Sequence, residues 1–114
     1  MPTARDHHAI GVVYERLRAI ASRINGNHDR SIGDHEECNP AADHWRARLS
    51  IPSIRSGIAV ATFHGKIFVF GGEYGLRTRS EVELFDPAAN KWQAWALMPA
   101  ARHGLGAAIL GGSI

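Results

Sequence analysis

The sequence is poor in several features that would otherwise direct its reading. One cysteine, Cys38, stands among 114 residues, which excludes an internal disulfide and a multi-cysteine zinc site. The net charge is only +2; nucleic-acid binding would require lysine and arginine clustered on one face. No apolar run approaches the roughly 18 residues of a membrane span. The N-terminus lacks the apolar core of a signal peptide, and Asp6 and Glu15 interrupt its arginines, against a transit peptide. No nucleic acid and no membrane is therefore expected as a partner, and for a chain with this native start the cytoplasm is the default location. The remaining composition, 45% hydrophobic and 21% charged, is that of a globular chain.

What the chain has is repetition. Pro-x-x-Arg occurs at Pro2/Arg5, Pro52/Arg55 and Pro99/Arg102, spaced by 50 and 47 residues. Each instance leads into small and apolar residues, as in Gly57-Ile58-Ala59-Val60-Ala61. Asn39-Pro40 and Trp45 return 47 residues later as Asp86-Pro87 and Trp92. Several landmarks sharing one period are the mark of a repeat architecture. The three extra residues of the first period fall in Arg23–Gly33, the counterpart of Glu73–Ser80, so both stretches are expected to be loops.

The second repeat is the best formed. It runs Ile67-Phe68-Val69-Phe70, then Gly71-Gly72, a polar stretch, the alternating Glu81-Val82-Glu83-Leu84-Phe85, a stop at Asp86-Pro87, and Trp92. This order resembles a kelch repeat: apolar strand, double glycine, loop, aromatic strand, tryptophan. The resemblance implies an all-β fold, a kelch-type β-propeller fragment in which each repeat is one four-stranded antiparallel blade. On that reading residues 1–51 are a degenerate repeat, 52–98 a well-formed one, and 99–114 the start of a third with its innermost strand. Propellers typically need four to eight blades of roughly 50 residues, so a piece of a larger propeller is expected. The remaining blades would come from elsewhere in a longer protein or from self-association.

The first repeat is worn. Ala21-Ser22 replace Gly71-Gly72, Arg18 replaces Phe68, and Cys38 replaces Phe85. Glycines at the double position suit a positive φ or a close backbone approach, which a Cβ obstructs. Ile10, Val13, Leu17, Ile20 and Ile24 also fall at helical spacing, which reads Ala9–Ile24 as a helix. Register with the second repeat reads it as strands.

Several candidate sites have simpler explanations. Gly26-Asn27-His28-Asp29 resembles a metallophosphoesterase motif, but Gly33-Asp34 follows it where that family has Gly-Asp before it, and a polar turn accounts for it. The histidines show no ligand spacing, so neither metal nor cofactor is expected. Cys38, in register with Phe85, is expected as a buried small hydrophobe. At least one of Glu36 and Glu37 is expected on solvated surface, because strand neighbours diverge. Gly71, Gly72, Trp45, Trp92, Phe85, Pro40 and Pro87 are expected as structural positions of the repeat.

The functional candidates are arginines. Arg5, Arg55 and Arg102 each lie between a proline turn and an innermost strand. The kelch resemblance places them around the mouth of a central channel, where in some family members arginines contact acidic peptides. Arg77 and Arg79, with Arg23 and Arg30 from the first repeat, would extend the basic rim. The competing reading is that each arginine pairs with a local acid and fixes its turn. Function is thus expected to be protein or peptide binding, with an acidic partner. The alternatives are a propeller enzyme of the sugar mutarotase or galactose-oxidase-like type, or a truncated product without function. No catalytic residue is evident.

Overall fold

The computed structural model describes residues 2–24, 27–74, 77–102 and 106–107, with the side chains of 24–31 outside the description. The side chain of Arg30, those of the Gly-Asn-His-Asp motif and most of the third repeat therefore fall outside it. Among the described residues the chain forms β1 (Ala9–Val13), β2 (Arg16–Ile24), β3 (Asn27–Asn39), β4 (His44–Arg48), β5 (Ala59–Phe63), β6 (Lys66–Phe70), β7 (Glu73–Tyr74), β8 (Arg77–Thr78), β9 (Val82–Asp86) and β10 (Lys91–Ala94). One four-stranded antiparallel sheet has the order β1-β2-β3-β4 and a second the order β10-β9-β6-β5; β7 and β8 pair as a small ribbon.

Ala9–Ile24 is a hairpin, not a helix. Tyr14 and Glu15 take φ of 51° and 59°, the left-handed pair that a two-residue hairpin turn requires. His64 and Gly65 do the same in the second sheet, with φ of 50° and 72°. The helical spacing of apolar residues loses to cross-strand pairing, in which Ala9 to Val13 run antiparallel against Ile20 to Arg16. Ala9 and Val13 are buried while Ile10 and Val12 are exposed, the period-two alternation of a strand. The expected loop Arg23–Gly33 is also corrected. Ser22 pairs with Ile32, Arg23 with Ser31 and Ile24 with Asn27 across bulges, so the added residues lengthen a hairpin of paired strands.

The sheets pack face to face. Ala9, Val13, Ile20 and Ala21 of the first meet Ile58, Ile67, Val69 and Phe85 of the second, with Ile51 between and Val60 and Trp92 packed against them. This apolar layer is the core. A smaller cluster of Phe68, Val82 and Leu84, flanked by Phe63, Phe70 and Met98, covers the far side of the second sheet. Backbone links tie one sheet to the next, among them Ser22 N to Arg55 O (3.3 Å), Gly57 N to His7 O (3.0 Å), and, onward, Gly72 N to Arg102 O (2.8 Å).

The double glycine has the conformation its sequence asks for. Gly71 and Gly72 have φ of 61° and 101°, and Ala21 and Ser22 keep positive φ at 54° and 149°. The worn repeat retains the backbone of the intact one in a region that side chains disfavour.

Candidate functional site

The side chains of Arg5 and Arg55 are buried. The Arg55 side chain is fully buried and lies 3.1 Å from the Glu83 carboxylate. Its guanidinium donates to the carbonyls of Gly71 (3.0 Å), Glu81 (2.7 Å) and Val69 (3.3 Å). Burial draws its pKa below the ordinary arginine value, opposed by the charges of Glu83 and Glu81. Arg5 repeats the arrangement one blade earlier. It donates to Ala21 O (3.1 Å), to Asp34 O (3.0 Å) and to the Glu36 carboxylate, with its side chain equally buried. Each arginine thus pins the double-glycine bend to the third strand of its own blade. A guanidinium suits this task because its planar fork supplies several donors at once. Of the two roles the sequence left open for Arg5 and Arg55, the buried staple is the one their geometry fits.

The other arginines of that end are arranged differently. Arg77 and Arg102 are exposed and Arg79 is half-exposed. The Arg102 backbone donates to Arg79 O (3.0 Å), and Arg79 donates to Gly72 O (2.7 Å), so the double glycine holds these segments side by side. The Arg79 guanidinium lies 5.7 Å from the Tyr74 ring centroid and 3.4 Å from the Glu81 carboxylate. Arg23, expected on this rim, is buried between the blades, 3.1 Å from Asp6 and 3.0 Å from Glu73.

A second basic constellation, which the sequence reading missed, lies where the first blade faces the second. Arg18 and Arg46 pair in register with Glu37, and His35 pairs with Arg48. Glu37 accepts from Arg18 (2.6 Å), from Arg48 (3.1 Å) and from Arg46. Arg48 reaches across to Pro87 O (3.3 Å) and Asn90 Oδ1 (3.2 Å) of the second blade. The guanidinium carbons of Arg18 and Arg48 lie 5.5 and 5.6 Å from the Phe85 ring centroid, within cation–π range. Burial pushes Glu37 up, but the hydrogen bonds of Arg46 and Arg48 and the charges of Arg18 and Arg48 hold it below the usual carboxylate value. The expected divergence of Glu36 and Glu37 is real, yet neither is solvated. Both are buried, on opposite faces, each against arginine. The missed signal was period two: Arg16/Arg18 on β2 and Arg46/Arg48 on β4 put guanidiniums on one sheet face.

His35 completes this layer. Its Nδ1 lies 3.2 Å from Leu49 O, its Nε2 3.4 Å from Arg18, and its ring meets Phe85 edge-on at 4.6 Å. Burial, with the Arg18 charge, lowers its pKa to about 4, so the ring is neutral, donating from Nδ1 and accepting at Nε2. Trp92 donates from its indole to the same Leu49 carbonyl at 2.8 Å. Phe85 and Trp92 are therefore interface residues between blades. Trp45 takes the equivalent place on the first blade, paired with Cys38; both are half-buried, so Cys38 is less enclosed than its register with Phe85 implied. Pro40 and Pro87 stand in the turns that close the last two strands of each blade. No group of three or more His, Cys, Asp or Glu that could hold a metal occurs among the described residues. No described helix is long and apolar enough to cross a membrane.

Stacked four-stranded antiparallel sheets, each pinned by the same arginine–glutamate pair, are the blades of a propeller. Comparison with known proteins agrees. The Kelch motif family matches residues 54–94. Beta-scruin of Limulus polyphemus is 37% identical over 82 residues, covering 71% of this chain and 8% of that protein. A solved structure, titled "Structure of YjhT", superposes with a TM-score of 0.80 at 18% identity, over 98% of this chain and 33% of that one. The chain belongs to the kelch-repeat β-propeller family, and it spans a small part of the relatives it matches.

Proposed function

We propose that this chain is a binding module that recognises an acidic protein segment through the end of the blades carrying Arg77, Arg79 and Arg102. The observation that carries the reading is the exposed pair Arg77 and Arg102, held beside Arg79 by the backbone bond from Arg102 to Arg79. Guanidiniums bind carboxylates bidentately, and the exposed Tyr74 adds an aromatic surface beside them. A basic rim attracts an acidic segment even where the net charge is small. Arg5 and Arg55 support this surface from beneath and do not touch the partner. The apolar outer faces of the two blades are covered, in this reading, by further blades of the same kind.

The test is a charge reversal, Arg77→Glu with Arg102→Glu, read by fluorescence anisotropy with a labelled glutamate-rich peptide at low salt. Binding is expected to weaken by about tenfold or more, with unchanged circular dichroism because both side chains are exposed. Equal binding by the reversed variant would overturn the assignment.

A further inference from the structure

The arginine layer between the blades opens at the opposite end of the molecule. There a cleft of about 400 Å³ is lined by Tyr14, Arg16, Arg18, Glu37, Arg46, Arg48 and the Pro87-Ala88 turn. Its charge does not balance. Four guanidiniums face one carboxylate, and Glu37 already accepts from three of them. Among the described residues the charge of Glu37 bears on Arg18 against the like charges of Arg48, Arg46 and Arg16. Arg18 is only 2% exposed and its Nε has no hydrogen-bond partner. Uncompensated buried cations are costly, and a second anion would relieve them.

We propose that this interblade cleft is a binding site for a small oxyanion, a phosphate or carboxylate group, held by Arg16 and Arg46 at the mouth and by the field of Arg18 and Arg48 beneath. Arg46 is 60% exposed at its side chain while Arg48 is 12% exposed, so one arm can turn to a ligand while the other stays fixed against the second blade. The Pro87-Ala88 turn and the Tyr14 ring give the cleft an apolar wall. That favours an anionic head on a short organic body over a bare ion. Arg48 bonds both Glu37 and the Asn90 turn, so an occupant of the cleft would also tie one blade to the next. This site is independent of the peptide-binding end: it lies at the hairpin turns, and its arginines are different ones.

The experiment titrates the full chain with inorganic phosphate, glycerol 3-phosphate and citrate at matched ionic strength against chloride, following amide chemical shifts and thermal melts. Phosphate or citrate is expected to shift the amides of Arg16, Arg46 and Ala88 and to raise the melting temperature. The phosphate ester and citrate arms tell a phosphate from a carboxylate ligand. Arg16→Gln with Arg46→Gln should weaken binding by about tenfold or more, at unchanged circular dichroism, while Arg77→Gln with Arg102→Gln should leave it intact. Glu37→Gln, which removes the internal competitor, should bind the anion more tightly and depend on it more for stability. Undiminished binding in the Arg16/Arg46 variant, or no anion-specific shift at these amides in the parent chain, would overturn the proposal.

Discussion

The two blades share a backbone but solve the same packing problem with opposite chemistry. On the face of the first blade that meets the second stand Arg18, His35, Glu37, Arg46 and Arg48. The same positions on the second blade carry Phe68, Val82, Leu84, Gln93 and Trp95. There Phe68, Val82 and Leu84 make an apolar cluster, and Trp95 meets Phe68 edge-on at 6.0 Å. The apolar face needs only shape and area. The charged face needs every donor and acceptor placed, because an unpaired buried charge costs several kcal/mol. In exchange it is selective: Glu37, Arg48 and Asn90 form one chain of bonds from blade to blade that a shifted or mismatched neighbour would break. What both blades keep unchanged is the arginine–glutamate staple at the double-glycine bend.

The sharpest way to break this comparison is to give the first blade the residues of the second. Glu37→Leu alone should destabilise by about 3–5 kcal/mol, since it strands the buried Arg18. The double variant Arg18→Phe with Glu37→Leu should recover most of that loss, because an apolar pair of similar volume replaces the ion pair. Urea melts of the single and double variants measure both. A double variant no better than the single would mean that Arg46 and Arg48 depend on Glu37 as much as Arg18 does.

The next effect is a pH dependence. His35 titrates near 4 in the folded chain against an ordinary value of 6.5. A histidine with a lowered folded pKa opposes folding as the unfolded chain takes up its proton. Stability is therefore full above pH 6.5, falls through the window down to about 4, and levels off below it as far as His35 is concerned. The span corresponds to a loss on the order of 3 kcal/mol. His8 is lowered as well, by burial and by the Arg5 charge, and contributes in the same direction. His35→Val, which installs the residue of the second blade, should flatten the slope between pH 6.5 and 4.5. The difference between variant and parent isolates His35, and equal slopes would contradict it.

Much of the fold was legible because repeats report on one another. Register with Lys66–Phe70 read Arg16–Ile20 as a strand, although the apolar spacing of Ala9–Ile24 also reads as a helix. Phe85 and Trp92 could be placed in the repeat from sequence alone. The candidate site was less legible. The recurrence of Arg5 and Arg55 marks an invariant need of the blade, but a buried staple and an exposed contact recur with the same period. The partners that decide between them, Glu36 and Glu83, lie on a strand distant in sequence. The interblade arginines escaped for a related reason. Arg18 reads as a lost aromatic within its own blade, and only stacking the blades shows that it covers the aromatic Phe85 of the next.

The smallest and most local contrast is the bend itself. A Cβ at Gly72 would sit 2.6 Å from both Ile58 Cγ2 and Ser56 O, and one at Gly71 would sit 2.5 Å from Arg102 O and 2.8 Å from Met98 Cε. Backbone atoms cannot yield as a flexible side chain can. Gly72→Ala should therefore cost about 2 kcal/mol or more, combining strain at positive φ with displacement of the next segment. The first blade has already made this change. Its Ser22 N lies 3.3 Å from Arg55 O, where Gly72 N lies 2.8 Å from Arg102 O, so the link to the following segment is longer where a side chain stands at the bend. The Ser22 hydroxyl offsets part of the cost by sharing its one proton between the carbonyls of Asp6 and Arg23. Ser22→Gly should thus relieve strain but lose these bonds, and the net change should stay within about 1 kcal/mol of zero. Urea melts of Gly72→Ala and Ser22→Gly side by side read the asymmetry directly. If both substitutions prove neutral, the double glycine is not what sets the bend, and the staple of Arg55 on Gly71, Glu81 and Glu83 must set it unaided.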